Sequence, residues 1–241
     1  MNGMLIYLLF MVPPMLLALW AQARVKSSFA MAQTVRAASG LSGAETAAMV
    51  LEASGVRGVR VEESRGFLSD HYDPRHRVVR LSPQVFHGRS VAAAGIAAHE
   101  VGHAIQHAQH YLPLKLRNGV VPLAGIGSNA GIMMIFVGML MGGVAGLASG
   151  LPFWIMIAGI GLFSTVVLFQ LINLPVEFDA SARARRLLVN AGLVAQGQQS
   201  AAMNRVLSAA AMTYVAATVG AIATLLYYVF VIMSAQNSQR N

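Results

Sequence analysis

Three stretches of this chain contain no Asp, Glu, Lys, Arg or His: residues 1–23, 118–176 and 206–239. No other feature of the sequence limits the fold as strongly. A bilayer crossing needs about 20 predominantly apolar residues. The first and last stretches therefore fit one span each, and the middle one fits two. Within the middle stretch, LASGLP (Leu147–Pro152) gathers small residues, glycine and proline, which suits a tight turn between antiparallel helices. The expectation is a mainly α chain with four transmembrane helices near 3–21, 121–146, 152–172 and 207–233. Buried helices of soluble proteins rarely run this long without a polar face. The chain as a whole is only 11% charged, well below the quarter typical of globular domains.

The position of the cations orients these spans. Twelve of the seventeen Lys and Arg fall in 22–118 and four in 174–205, with none in the turn between the second and third spans. Under the positive-inside rule both segments face the cytoplasm and both termini lie outside, in the cytoplasmic (inner) membrane. The net charge of +8 then reads as an orientation signal, with contact to anionic lipid as an extra. It is not read as a sign of nucleic-acid binding. WAQAR (Trp20–Arg24) offers an Ala-x-Ala pattern after an apolar run, but MNG at the start has no cation and the positive charges follow the run. That order favours an uncleaved anchor over a leader peptide. The expected organisation is a first span over 1–21, a cytoplasmic domain over 22–118 and a membrane hairpin over 119–173. A second cytoplasmic segment over 174–205, a last span over 206–234 and a disordered tail over 235–241 complete it.

Within 22–118, Arg24 to Ala38 reads as helix continuing from the first span. LSGAETAAMVLEASG (Leu41–Gly55) is a clearer helix, with Ser42 as N-cap, Glu45 three residues on and Gly55 at its end. VRGVRVEES and HRVVRLS show the alternation of short strands. DHYDP (Asp70–Pro74) between them reads as a turn, Pro74 restricting Asp73 to an extended shape. Then comes SVAAAGIAAHEVGHAIQHAQH, Ala-rich and proline-free, with Ser90 placed to cap a helix.

The last stretch carries the chemistry. The chain has no cysteine, so any metal must be held by histidine and carboxylate. His99 and His103 are four apart, one helical turn, and can reach one ion from one helix face. Glu100 sits beside the first of them, placed to accept a proton from water activated by zinc and to pass it to a leaving amine. A bare match of this pattern also occurs on helices whose histidines simply face water. Uncharged Val101 and Gly102, and the alanines before the motif, instead suit close approach of another helix.

The third ligand decides the class. A metzincin needs Gly at 106 and His at 109, and the chain has Gln at both. His107 lies about 12 Å of helix rise from His99, too far to share an ion, so His107 and His110 read as polar-face residues. An intramembrane metalloprotease would place the motif within a span and add an acid there, yet no span contains one. Downstream of Glu100 the only acids are Glu177 and Asp179, just past the third span and on the same membrane side as the histidines. Glu177 is the expected third ligand, giving one zinc per chain in a gluzincin-type site. Asp179 is the candidate to orient a ligating histidine, and helix-dipole complementation is the alternative for both acids.

DHYDPRHRVVRLSP, AAHEVGHAIQHA and LPVEFDAS, in this order among these spans, resemble the YugP-like neutral zinc metallopeptidases of bacterial membranes. The resemblance covers nearly the whole chain. It implies a zinc-dependent endopeptidase at the cytoplasmic membrane, with a zincin-like domain, His99, His103 and Glu177 as ligands, and Glu100 as catalyst. A looser similarity to membrane peptidases related to HtpX implies a Glu-x-x-x-Asp pattern around the third ligand. Its last position here is Ser181, so that aspartate's role falls to Asp179 or is absent. HRVVRLS is the candidate edge for pairing with an extended substrate.

The expected function is peptide-bond hydrolysis on a protein or peptide substrate. The alternative is a non-catalytic membrane scaffold or metal-binding adaptor that retains the motif. A transporter finds little support, because spans without an ionisable residue offer no ion path. Gly138, Gly142 and Gly146, four apart, predict a helix-packing face that seals the bundle or joins two copies. His71, Tyr72 and His76 read as surface loop residues.

Overall fold

The computed structural model describes residues 3–66, 69–143 and 145–240. The chain is mainly helical, and four helical runs are long and apolar enough to cross a membrane: Gly3–Gln33, Leu112–Gly142, Gly150–Asn190 and Gln198–Ser238. Their elements are α1 (Gly3–Gln33), α5 (Leu112–Ile126), α6 (Ile132–Gly142), α7 (Gly150–Asn190) and α8 (Gln198–Arg240). All four expected spans are present, but their helices outrun the apolar blocks. α7 continues through Pro175 from the span into the 174–205 segment, and α8 runs on to Arg240. Proline removes one i→i−4 bond and usually ends a helix, yet α1 also tolerates Pro13 and Pro14, and α5 tolerates Pro122. In long helices of this kind, neighbouring groups and local adjustment satisfy the freed carbonyls. A π-helical turn, Gly127–Gly131, joins α5 to α6.

The chain divides into two compact units. The first holds residues 1–19, 116–173 and 214–241. Its core is apolar, around Ile135, Leu147, Met156, Phe163 and Ile232. Glycines set its closest helix contacts. A Cβ at Gly138 would sit 2.9 Å from the Pro152 carbonyl oxygen, and one at Gly131 would sit 3.0 Å from that of Gly159. The expected glycine face is therefore turned toward α7 of the same chain. It also runs differently: α6 stops at Gly142 and Gly146 falls in the 3-10 turn Ala145–Ala148, while Gly131 and Gly127 extend the face the other way.

The second unit holds residues 20–115 and 174–213. α2 (Gly43–Ala53) begins at a capping box in which Ser42 Oγ accepts from Glu45 N and the Glu45 carboxylate accepts from Ser42 N. It is followed by Gly55 at φ +66, as expected for the turn that ends it. A three-stranded sheet follows, made of β1 (Arg60–Glu63), β2 (His71–Asp73) and β3 (Val78–Leu81), in the order β1-β3-β2. β3 pairs parallel with β1 and antiparallel with β2. HRVVRLS is therefore the central strand, and both its edges are taken, which removes it as the edge for a substrate. His71 and Tyr72 belong to β2 rather than to a loop, and the turn lies one step later, over 74–77, with Arg77 at φ +52. The short α3 (Pro83–Phe86) leads into α4 (Val91–Ala108), whose Ser90 hydroxyl accepts from Ala93 N at 3.2 Å. α4 is the centre of this unit: Ala92, Ala93, Ala97, Ala98, Val101 and Ala104 are all buried in its core with Leu188 and Met203.

Candidate metal centre

The alanines and glycines of α4 let other helices come unusually near. A Cβ at Gly102 would stand 2.8 Å from the Ala180 carbonyl oxygen and 3.1 Å from its Cα. Only glycine fits there, and the contact is backbone against backbone. It lays the 177–181 turn of α7 alongside the 99–103 turn of α4, where longer side chains would hold the two apart.

At that contact three side chains converge. Glu177 Oε2 lies 3.3 Å from His99 Nε2 and 3.5 Å from His103 Nε2, and one ligand atom from each residue falls within 4.8 Å of the others. The two imidazoles stand nearly perpendicular, at 84°. Glu177 is buried, and its Oε2 makes no hydrogen bond among the described residues. An orphaned buried carboxylate oxygen is costly, so this atom calls for a cation. The spacing fits one. Tetrahedral zinc with bonds of about 2.0–2.2 Å to nitrogen and oxygen separates its ligand atoms by about 3.3–3.6 Å. Electrostatics agree: burial works against a charged His103, yet the facing Glu177, with Glu100 and Gln106 adding to it, pushes its pKa up. The pocket favours positive charge, and histidine and carboxylate together suit zinc.

The outer nitrogens of both rings are engaged. His99 Nδ1 lies 3.1 Å from Ser181 Oγ, and His103 Nδ1 lies 3.0 Å from Gln106 Oε1. Gln106, fully buried, donates from Nε2 to the Val176 carbonyl oxygen and to Asp179 Oδ2, both at 2.8 Å. Asp179 also accepts from Arg183 Nε, and Arg183 donates to Gln109 Oε1 and lies over the Tyr111 ring. Asp179 thus reaches His103 through Gln106, while Ser181, at the departure from the Glu-x-x-x-Asp pattern, touches His99 directly. No local sequence signal marks Gln106, whose side-chain type serves there only to exclude a metzincin.

Glu100 is buried beside these groups. Burial pushes its carboxyl pKa up, His99 and His103 oppose that, and Glu177 and Asp70 add to it. Asp70 accepts from the Ser82 backbone N–H at 2.8 Å and from its hydroxyl, and burial raises its pKa as well. His107 stays out of the group. Its Nδ1 is 2.8 Å from the Tyr72 hydroxyl, tying α4 to β2, so it is an anchoring residue where a polar-face histidine was expected. His110 falls beyond the end of α4, and His76 pairs with Asp73 at 2.7 Å.

The family described as "Putative neutral zinc metallopeptidase" matches residues 7–233. The chain is 43% identical over 221 residues to the "Putative membrane protease YugP" of Bacillus subtilis (strain 168), covering 92% of this chain and 94% of that one. No solved structure matches the chain.

Proposed function

The chain belongs to the neutral zinc metallopeptidase family, and on that footing we propose that it is a membrane-anchored endopeptidase hydrolysing peptide bonds at the cytoplasmic membrane face. The observation that carries this reading is Oε2 of buried Glu177, which makes no hydrogen bond among the described residues and lies 3.3 and 3.5 Å from two imidazole nitrogens. His99, His103 and Glu177 would hold one zinc ion, the donor set of a gluzincin, within a zincin-like domain. When bound, zinc supplies a Lewis acid that polarises the scissile carbonyl and lets water attack near neutral pH.

The other steps belong to side chains. Glu100 takes a proton from the attacking water as its oxygen bonds to the carbonyl carbon. It then returns that proton to the departing amine nitrogen as the C–N bond breaks. Burial raises the pKa of Glu100, the direction that favours its accepting a proton. Ser181 and Gln106 orient the two imidazoles from behind. The cytoplasmic placement rests on the cations concentrated in 22–118 and 174–205.

The test is zinc content with proteolysis of a peptide library, for wild type and Glu100→Gln. Both should carry about one zinc, and only wild type should cut. Zinc-loaded Glu100→Gln that cleaves at the wild-type rate would refute the role of Glu100.

A further inference from the structure

We propose that Gln106 is the positioning residue of the metal centre, one buried amide that sets two of the three ligands at once. This rests on the peptidase reading above. Gln106 lies on α4 one turn beyond His103, and its side chain is fully buried. Its oxygen faces His103 Nδ1 at 3.0 Å, and its nitrogen faces two acceptors at 2.8 Å, the Val176 carbonyl and Asp179 Oδ2. That orientation is forced chemically. Turned over, the amide would press its oxygen against a carbonyl and a carboxylate oxygen, and neither of those can donate to it.

The consequence passes to the imidazole. An amide oxygen only accepts, so His103 Nδ1 carries the proton and donates it. Nε2, the atom 3.5 Å from Glu177 Oε2, is then the nitrogen with the free lone pair. The same amide acts on the other helix. Val176 immediately precedes Glu177, so the bond to its carbonyl fixes the backbone from which the third ligand projects. Asp179, two residues beyond Glu177, braces the amide from the far side and is itself held by Arg183. Zinc-binding histidines generally give their outer N–H to a carboxylate, a backbone carbonyl or water. Here a neutral amide takes that place and moves the carboxylate one bond further out. His103 therefore gains orientation and a defined tautomer without a negative charge directly behind it. His99 is served separately by Ser181, so the two imidazoles depend on different side chains.

The test uses the full chain in detergent, with zinc affinity measured by competition against a chromophoric chelator. Thermal unfolding of the zinc-free proteins runs alongside to report the fold itself. Gln106→Met keeps length and volume but can neither accept from His103 nor donate to α7, and is expected to weaken zinc binding about 10- to 100-fold. Gln106→Glu keeps the acceptor but sets a carboxylate against Asp179, and weakens binding too. Combining Gln106→Glu with Asp179→Asn exchanges donor and acceptor across the contact and should recover several-fold of that loss, which a purely structural role would not. Asp179→Asn alone, at a partly exposed position, should lower affinity several-fold and serves if Gln106→Met does not fold. Affinity of Gln106→Met within about twofold of wild type, unchanged affinity in Asp179→Asn, or a double variant no tighter than Gln106→Glu would each overturn the proposal. Wild type that binds no zinc would overturn the peptidase reading instead, a distinct result.

Discussion

The two units of this chain use the same device to opposite ends. In the membrane-spanning unit, glycines at 127, 131, 138 and 159 bring helix backbones together with no titratable group between them. In the other unit, Gly102 brings α4 against the backbone of Ala180, and the turns laid side by side carry His99, His103, Glu177 and Ser181. Close backbone approach is therefore not itself the site. It is a means of shortening side-chain distances, and function depends on what the adjoining positions carry. Apolar neighbours make a tight hairpin, whereas two imidazoles and a carboxylate make a group that could hold a metal ion.

The comparison can be broken at its strongest point first. Gly102→Ala forces a methyl group onto the Ala180 backbone, an overpacking that should cost about 1–3 kcal/mol of stability. Its effect on function should be larger. A misplacement of about 1 Å at a reacting centre can lower rates about 100-fold, so peptidase activity per folded molecule should fall by about that factor. Activity at the wild-type level in folded Gly102→Ala would mean that the glycine contact does not set the site.

Gly138→Ala is the matched change in the membrane-spanning unit, with its Cβ 2.9 Å from the Pro152 carbonyl oxygen. A similar stability loss of about 1–3 kcal/mol is expected, with zinc bound per folded molecule unchanged. Thermal unfolding and metal analysis on one sample read both. A loss of zinc there would show that the two glycine contacts are not independent.

Ser181→Ala removes the partner of His99 Nδ1 but leaves the helix contact intact. Zinc affinity should fall about tenfold, the lower end for loss of an outer hydrogen bond, with little change in the stability of the zinc-free chain. Chelator competition measures it. An unchanged affinity would reduce Ser181 to a packing residue.

The smallest effect belongs to the sheet, where neither device operates. Asp73 is held well below the usual carboxylate range by hydrogen bonds from His76, with Arg80 and the backbone of Arg75 adding to them. A carboxylate depressed in the folded state adds stability above its unfolded pKa of about 3.9, and that stability is lost as the pH falls. Asp73→Asn should therefore lower the unfolding temperature slightly at neutral pH, and the gap from wild type should close as the pH drops through the carboxylate range. A gap independent of pH would point to packing instead.

Much of this was legible in the residues. Charge-free blocks announce membrane helices because lipid tolerates little else. Glu177 stood out because only two acids follow Glu100, and the caps at Ser42 and Ser90 follow from local hydrogen bonding. Other parts were not legible, for physical reasons. Strand order is a tertiary choice, so nothing in HRVVRLS shows that it lies between two partners. β2 is three residues long and ends at a proline, too short for alternation to register. Pro175 signals a helix end by local rules, and only its surroundings carry α7 through it. Gln106 was invisible because its role depends on a helix 70 residues away supplying both a carbonyl and a carboxylate.

The most direct test is metal analysis of purified wild type and Glu177→Ala after equilibration with zinc and removal of loosely held ions. Wild type should retain about one zinc per chain, as a site with two imidazoles and one carboxylate requires, while Glu177→Ala should retain almost none yet unfold like zinc-free wild type. Full zinc retention with wild-type affinity in Glu177→Ala would contradict the three-ligand centre on which the proposed function rests.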